Sequence, residues 1–359
     1  MPRRLLALLT LSALISCGSS SSDDDDDDDG PEDTDTDTDA GTDTDAGTDA
    51  DAGTDADTDT DTDADTDADT DADTDADTDT GPEACSDGEA GVWLTDDDGD
   101  EARLGGSSYA GEITAGTITF CAGFTYDVDL DLLGSVAVVS SGGDSGNTTL
   151  TGVGIKAWGG SSSLRGLTLE DQLDGIYVHE ATTLTVDDVV VTNMAPPRSS
   201  SSRTALVSVS YGGGVLRADG LQIVENTVHD TDYALWCGGE CYLSNSDISW
   251  NEDDNYGSNL IEVDGYLELT DTELYANDGF LGVVDVDGAI LEMRGGNLIS
   301  NDTHYATLDA CGFLRVEAAI GANVDTDDDG VLRCGCESGE REWTPHFASV
   351  EERTLTCGW

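Results

Sequence analysis

The chain has 359 residues, 37% of them hydrophobic, and a formal net charge of −65. A charge that negative repels phosphate backbones and anionic headgroups, which excludes nucleic-acid binding and direct adsorption on an anionic membrane surface. It suits divalent cations, basic partners or simple colloidal repulsion.

The N-terminus has the pattern of an export signal. Arg3 and Arg4 precede an apolar run from Leu5 to Ile15, too short to span a hydrocarbon core of ~30 Å. It ends in Leu14-Ile15-Ser16-Cys17, which resembles the lipobox of bacterial lipoproteins. That resemblance implies cleavage before Cys17 and acylation of Cys17 on its sulfur and new amine. Several acyl chains give stable anchoring where one is marginal. An ordinary signal peptide with an incidental cysteine is the alternative. Gly18 is not the aspartate that retains enterobacterial lipoproteins at the inner membrane. The resemblance therefore implies the bacterial outer membrane, with the chain facing the cell surface or the periplasm.

Residues 18–82 hold 29 acidic residues and no Lys, Arg or aromatic. Ser19–Ser22, Asp23–Asp29 and a run of Thr-Asp and Ala-Asp dipeptides cannot form a packed core, so a disordered, self-repelling tether is expected. A neutral coil of that length averages roughly 45 Å end to end, and full extension reaches about 200 Å.

Residues 83–359 are glycine-rich, with short Val, Leu and Ile runs and enough length to bury a core. An N-terminal cap is expected over 83–125, a repeat domain over 126–335 and a cysteine-containing C-terminal cap over 336–359. The repeat shows as alternating apolar pairs: Val136/Val138, Ile155/Ala157, Ile176/Val178, Val207/Val209, Leu235/Cys237, Ile261/Val263, Val284/Val286 and Leu308/Ala310, with Val331/Arg333 a degenerate last member. The mean period, (331−136)/8, is about 24 residues. A second run follows each pair, starting at Leu184, Leu216, Leu243, Leu267, Leu291 and Leu314. A polar residue then closes the unit: Asn193, Asn226, Asp253, Asn277, Asn301 and Asn323, with Gln172 an earlier member. The long interval after Ile176 contains Pro196-Pro197-Arg198 and Ser199–Ser202, which must loop out.

A period in the twenties with several short strands per unit predicts an all-β solenoid whose coils stack at about 4.8 Å. The recurring Asn fits a tight corner, where the left-handed backbone is tolerated and the amide can bond its counterpart one coil away. In this the sequence resembles the right-handed parallel β-helix of the pectate-lyase-like superfamily, with its asparagine ladder. A leucine-rich repeat lacks its consensus here, and an immunoglobulin-type sandwich is the remaining alternative.

Apart from Cys17 there are eight cysteines, an even number that suggests disulfides in an exported chain. Cys237 and Cys241 flank a Gly-Gly-Glu turn. Cys85 and Cys121 bracket the N-terminal cap, and Cys311, Cys334, Cys336 and Cys357 cluster at the other end. A zinc site from Cys334, Cys336, His346 and Cys357 is the rival reading.

Catalytic members of the superfamily cleave acidic polysaccharides, with aspartates, calcium and an Arg or Lys base. The matching motifs are weak here. Gln172-Leu173-Asp174-Gly175-Ile176 and Asp187-Asp188 are echoes, Lys156 is the sole lysine, and the Gly-His-Gly and Arg-Ile-Lys motifs are absent. Asp174, Asp187 and Asp188 are thus the catalytic candidates, set against plain coil-corner roles. His179, His229 and His304 have no adjacent nucleophile or metal-ligand spacing. Asp325, Asp327 and Asp329, followed by Gly330, match the first half of an EF-hand-type loop. Cys336 stands where the bidentate Glu belongs, so calcium competes there with an acidic turn, and no other cofactor is called for. The expected function is a lipid-anchored, surface-displayed module that binds a glycan or another envelope component without catalysis. Tyr177, Tyr233, Trp250 and Tyr275 are candidates for a sugar-stacking face. A polysaccharide lyase or hydrolase, and a purely structural spacer, are the alternatives.

Overall fold

The computed structural model describes residues 83–359 except 195–204, 230–231, 254–258, 326–329, 337–341, 346 and 359, and except the side chains of 83, 84, 279, 280, 324 and 325. The signal segment, Cys17 and the acidic tether lie outside the described residues. Among the described residues no helix is long and apolar enough to cross a membrane.

The described chain is an all-β solenoid of about eight turns. Along most of the long strands Val, Leu and Ile alternate with polar residues, so one side is apolar and the coil can bury it only inward. Three parallel ladders result. The first stacks Leu130, Ile155, Ile176, Val207, Leu235, Ile261, Val284, Leu308 and Leu332 on successive rungs. The second stacks Val138, Leu164, Val186, Ala218, Leu243, Leu269, Met293 and Val316. The third stacks Leu150, Leu169, Val191, Ile223, Ile248, Leu274, Leu298 and Ile320. All of these side chains are buried in one continuous core.

Between the third ladder and a short fourth sheet runs the asparagine ladder. The amide nitrogen of Asn226 donates to Oδ1 of Asn251 at 2.9 Å, Asn251 to Asn277 at 3.1 Å, Asn277 to Asn301 at 2.9 Å, and Asn301 to Asn323 at 3.0 Å. Each accepting Oδ1 also takes the backbone N–H of the asparagine before it. The residue preceding each ladder position has positive φ: Glu225, Trp250, Ala276, Ser300 and Ala322.

Five register expectations need correction. Val136/Val138 belong to the second ladder, and Leu130/Leu132 fill the first-ladder place before Ile155/Ala157. The strand Phe124–Ser140 passes from one ladder to the next with no break to announce the change. At the other end the rung is Leu332/Cys334, one residue later than Val331/Arg333. In the fifth repeat Cys241/Leu243 occupy the second-ladder rung, because the disulfide turn draws Cys241 inside; Leu243 is its second member. In the asparagine ladder, Asn193 is the left-handed corner residue and Met194 takes the ladder place, its N–H donating to Asn226 Oδ1 at 2.9 Å. Likewise Asn251 is the ladder member and Asp253 lies two residues on, paired with Val228 in the fourth sheet.

Parallel pairing begins at Ser108, ahead of residue 126, where Ser108–Phe120 pairs with Phe124–Ser140. Val92–Thr95 closes that end, antiparallel to Glu101–Gly105 and to Ser108–Phe120. At the far end Glu342–Thr344 and Glu351–Cys357 run antiparallel to Leu332–Cys334 and Leu308–Gly321, covering the last open edge. Disulfides join Cys85 to Cys121, Cys237 to Cys241, Cys311 to Cys336, and Cys334 to Cys357. The three sulfurs that a zinc site would need are therefore oxidised: Cys334 and Cys357 are bonded to each other and Cys336 to Cys311. His346 lies outside the described residues.

Candidate functional site

Outward positions on the first ladder form one row: Asp131, Lys156, Tyr177, Ser208, Trp236, Glu262, Asp285, Asp309 and Arg333 stand on successive rungs. A cavity of about 460 Å³ opens on its first half, lined by Lys156, Trp158, Asp174, Tyr177, Ser208 and Trp236. The small Ser208 makes the floor, and the aromatic rings stand at its sides. Trp158 is 42% exposed, and its ring packs 4.7 Å from His179 and 5.8 Å from Tyr177. Tyr177 Oη and Ser210 Oγ share a hydrogen bond of 2.7 Å. On the other side Trp236 meets Tyr211 edge to face at 5.3 Å.

Carboxylates fix the polar edges of these rings. Trp158 Nε1 donates to Asp131 at 2.8 Å and Trp236 Nε1 to Asp264 at 2.9 Å, and Tyr211 Oη also donates to Asp264. The rings are thus held in place before any ligand arrives. Lys156 Nζ pairs with Asp174 at 2.9 Å. Burial works to lower the Lys156 pKa, but the Asp174 hydrogen bond and the charges of Asp174, Asp129 and Asp131 outweigh it, so the net shift is upward. Further along, burial pushes the Asp285 carboxyl up to about 6, helped by Glu262, Asp287 and Asp264 and opposed by Arg333. Asn259 Nδ2 donates to Asp285 at 2.9 Å.

A second cavity of about 480 Å³ lies over the second ladder. Asp187 and Asp219 face each other there on adjacent rungs, with Arg217 beside them. Arg165 Nε pairs with Asp187 at 3.2 Å. Hydrogen bonds from Asn245 and Ser244 hold the Asp219 carboxyl below its usual range. Arg217 lies 4.4 Å over the Tyr242 ring.

The sequence candidates therefore separate. Asp174 lines the aromatic cavity and Asp187 the second one. Asp188 has positive φ and accepts from the N–H and Oγ of Ser145, which is a turn-fastening role. Gly175 must be glycine, since a Cβ would meet the carbonyl oxygen of Leu206 at 2.1 Å. Of the expected stacking aromatics only Tyr177 sits in the cavity. Tyr233, expected outside, is buried at 5% exposure. Trp250 and Tyr275 pack edge to face at 5.5 Å beside the asparagine corner. Trp158 and Trp236 carry no motif of their own in the sequence; the signal is their place, Trp236 at an outward position of a first-ladder strand and Trp158 directly after one. His179 faces outward into the aromatic cluster, and His304 stands 6.1 Å from Tyr305. His229 is half-buried. Asp325, Asp327 and Asp329, expected as a calcium-loop half, lie outside the described residues, apart from the backbone of Asp325 in the strand Val324–Asp325. Among the described residues no three His, Cys, Asp or Glu side chains are grouped to hold a metal ion.

No protein family, curated protein or solved structure matches the chain.

Proposed function

We propose that this chain is a lipid-anchored protein of the bacterial outer membrane that binds a glycan without cleaving it. The observation that carries the reading is the cavity walled by Trp158, Tyr177 and Trp236, whose rings stand exposed or half-buried over a serine floor. Sugar rings present C–H faces that stack on indole and phenol rings, and hydroxyls that bond carboxylates and serine. The site offers both kinds of partner, and its rings are already fixed in position. The pectate-lyase-like resemblance supports the architecture, while the lipobox and the acidic segment behind it support display away from a membrane.

Calorimetric titration of the full chain with soluble oligosaccharides tests the binding reading. Trp158→Ala and Trp236→Ala should each weaken binding about tenfold, equivalent to ~1.4 kcal/mol, and leave the melting temperature close to the parent's. Equal affinity in parent and both variants would sink the reading. Anchoring is tested separately by intact-mass analysis of the exported protein. The expected mass is that of an acylated chain starting at Cys17, and Cys17→Ser should abolish acylation.

Cleavage is the second reading, favoured by Asp187 and Asp219 on adjacent rungs. A strand spacing of about 4.8 Å brings two carboxyls near the ~5–5.5 Å of a retaining glycosidase pair. Against it, such a pair needs one carboxyl held protonated as the acid; hydrogen bonds from Asn245 and Ser244 favour the ionised form of Asp219, and Asp187 is ion-paired with Arg165 at 3.2 Å. Product analysis with Asp187→Asn and Asp219→Asn separates the two readings.

A further inference from the structure

The polar atoms of the rings that wall the aromatic cavity are all engaged. Trp158 Nε1 donates to Asp131, Trp236 Nε1 to Asp264, and Tyr177 Oη is bonded to Ser210. Besides the rings and the Ser208 floor, the lining offers a ligand one ion pair. Lys156 and Asp174 meet at 2.9 Å, with side chains 25% and 45% exposed. An ammonium has three N–H donors and a carboxylate accepts about four bonds, so the pair keeps both donors and acceptors while its charges cancel. Its two members are fixed from below. Gly154 and Gly175 are partners on adjacent coils. A Cβ at either would meet a carbonyl oxygen of the next coil, Gly175 O at 2.6 Å or Leu206 O at 2.1 Å. The coils thus run at their closest approach beside Asp174 and two residues before Lys156, and neither residue can shift without parting them.

We propose that this cavity takes an uncharged hexopyranose residue in preference to a uronate, and that Lys156 and Asp174 read two of its neighbouring hydroxyls. The inference rests on the glycan reading above and names the class of sugar. One hydroxyl accepts from Lys156 Nζ and its neighbour donates to the Asp174 carboxylate. Adjacent hydroxyls on a pyranose stand about as far apart as the paired nitrogen and oxygen do, so one sugar edge spans both. Charged partners make such bonds stronger than neutral ones, while the C–H face of the sugar lies against the rings. A uronate in the same place finds the lysine already held by Asp174, with the charges of Asp129 and Asp131 also acting on it. Among the described residues the lining holds no second cation to meet a ligand carboxylate.

The test titrates the full chain by calorimetry with tetramers of glucose, mannose and galactose and with a galacturonate tetramer. Physiological ionic strength is used, where a Debye length of about 8 Å screens the acidic segment 23–80 from the ligand. At least one neutral tetramer should bind about tenfold or more tightly than the galacturonate. Lys156→Met should weaken that tetramer about tenfold, because it removes a hydrogen bond to a charged group. Asp174→Asn should act in opposite directions on the two ligands, weakening the neutral tetramer and strengthening the galacturonate by releasing Lys156 to meet it. Both side chains are partly exposed, so the two variants should melt close to the parent, and the melting temperature confirms that each is folded. Galacturonate binding as tight as that of the neutral tetramers overturns the proposal. So does neutral binding that neither folded variant changes, or a galacturonate affinity that Asp174→Asn does not raise. In each of these cases loss of binding in Trp158→Ala leaves the glycan reading standing. Failure of all four tetramers to bind overturns both.

Discussion

Asn277 shows how much one side chain can carry in this fold. Its Nδ2 donates to the carbonyl of Ile248 at 3.0 Å and to Asn301 Oδ1 at 2.9 Å, and its Oδ1 accepts both the N–H and the Nδ2 of Asn251. Truncation would strand several buried groups, each costing about 1–3 kcal/mol. Asn277→Ala should therefore lower unfolding free energy by about 2–4 kcal/mol in a denaturant titration. Asn297→Ala, which removes an amide bonded to Glu273 on the outside of the coil, should change it by under about 0.5 kcal/mol. The sequence pattern made Asn226, Asn277, Asn301 and Asn323 legible as ladder amides, although the left-handed backbone expected of them falls on the residue before each. It misplaced the two remaining members because a polar residue occurs near every corner. What distinguishes them is backbone sign: Asn193 carries positive φ and Asn251 follows a residue that does. Period alone does not resolve a shift of one or two residues. The cavity was harder to see, because Trp158, Tyr177 and Trp236 come from three different coils and their meeting depends on register.

At the scale of the element, the caps bear the load that the coils cannot. A parallel solenoid ends in a strand with unpaired N–H and C=O groups. Here Glu351–Cys357 pairs with Leu314 to Ile320 and seals that edge. The pairing is fastened by the disulfide from Cys334 to Cys357, which closes a loop of 23 residues. Loops of that size are worth about 3 kcal/mol through restriction of the unfolded chain. With Cys334→Ser and Cys357→Ser together, hydrogen exchange should accelerate across 351–357 and the rung beneath it. The amides of Val207 and Val209, in the middle of the stack, should keep their protection. Uniform acceleration along the whole chain would show that the cap is not a separable unit. Cysteine number and spacing pointed to fastened ends, while the pairing of Cys311 with Cys336 and of Cys334 with Cys357 was one choice among many until the strands were placed.

Across the whole molecule, acidity has a stability cost that pH can expose. Asp285 lies among Glu262 and Asp264 of the preceding coil, Asp287 of its own strand and Asp309 of the next, with Arg333 opposing and Asn259 donating to it. Its carboxyl is raised from 3.8 to about 6. Between those values the folded chain holds the proton more tightly than the unfolded one, so stability falls as pH rises through the window and levels off above about 6. The slope from this group reaches at most about 1.4 kcal/mol per pH unit. Denaturant titrations between pH 4 and 7 should show the parent losing stability relative to Asp285→Asn as pH rises. A constant difference would mean that Asp285 titrates normally.

The left-handed corner followed by a ladder amide recurs while the chain between corners does not keep one length. First-ladder steps run from 21 residues, Ile155 to Ile176, to 31, Ile176 to Val207. Each corner therefore resets the count, and an error in one coil is not passed to the next. Length along the axis becomes a whole number of graduations of about 4.8 Å, independent of how much chain each graduation contains. Excising residues 252–277 would bring Asp278 to the place of Glu252, which is its partner across the fourth sheet. The product should be a shorter ruler with both ends unchanged.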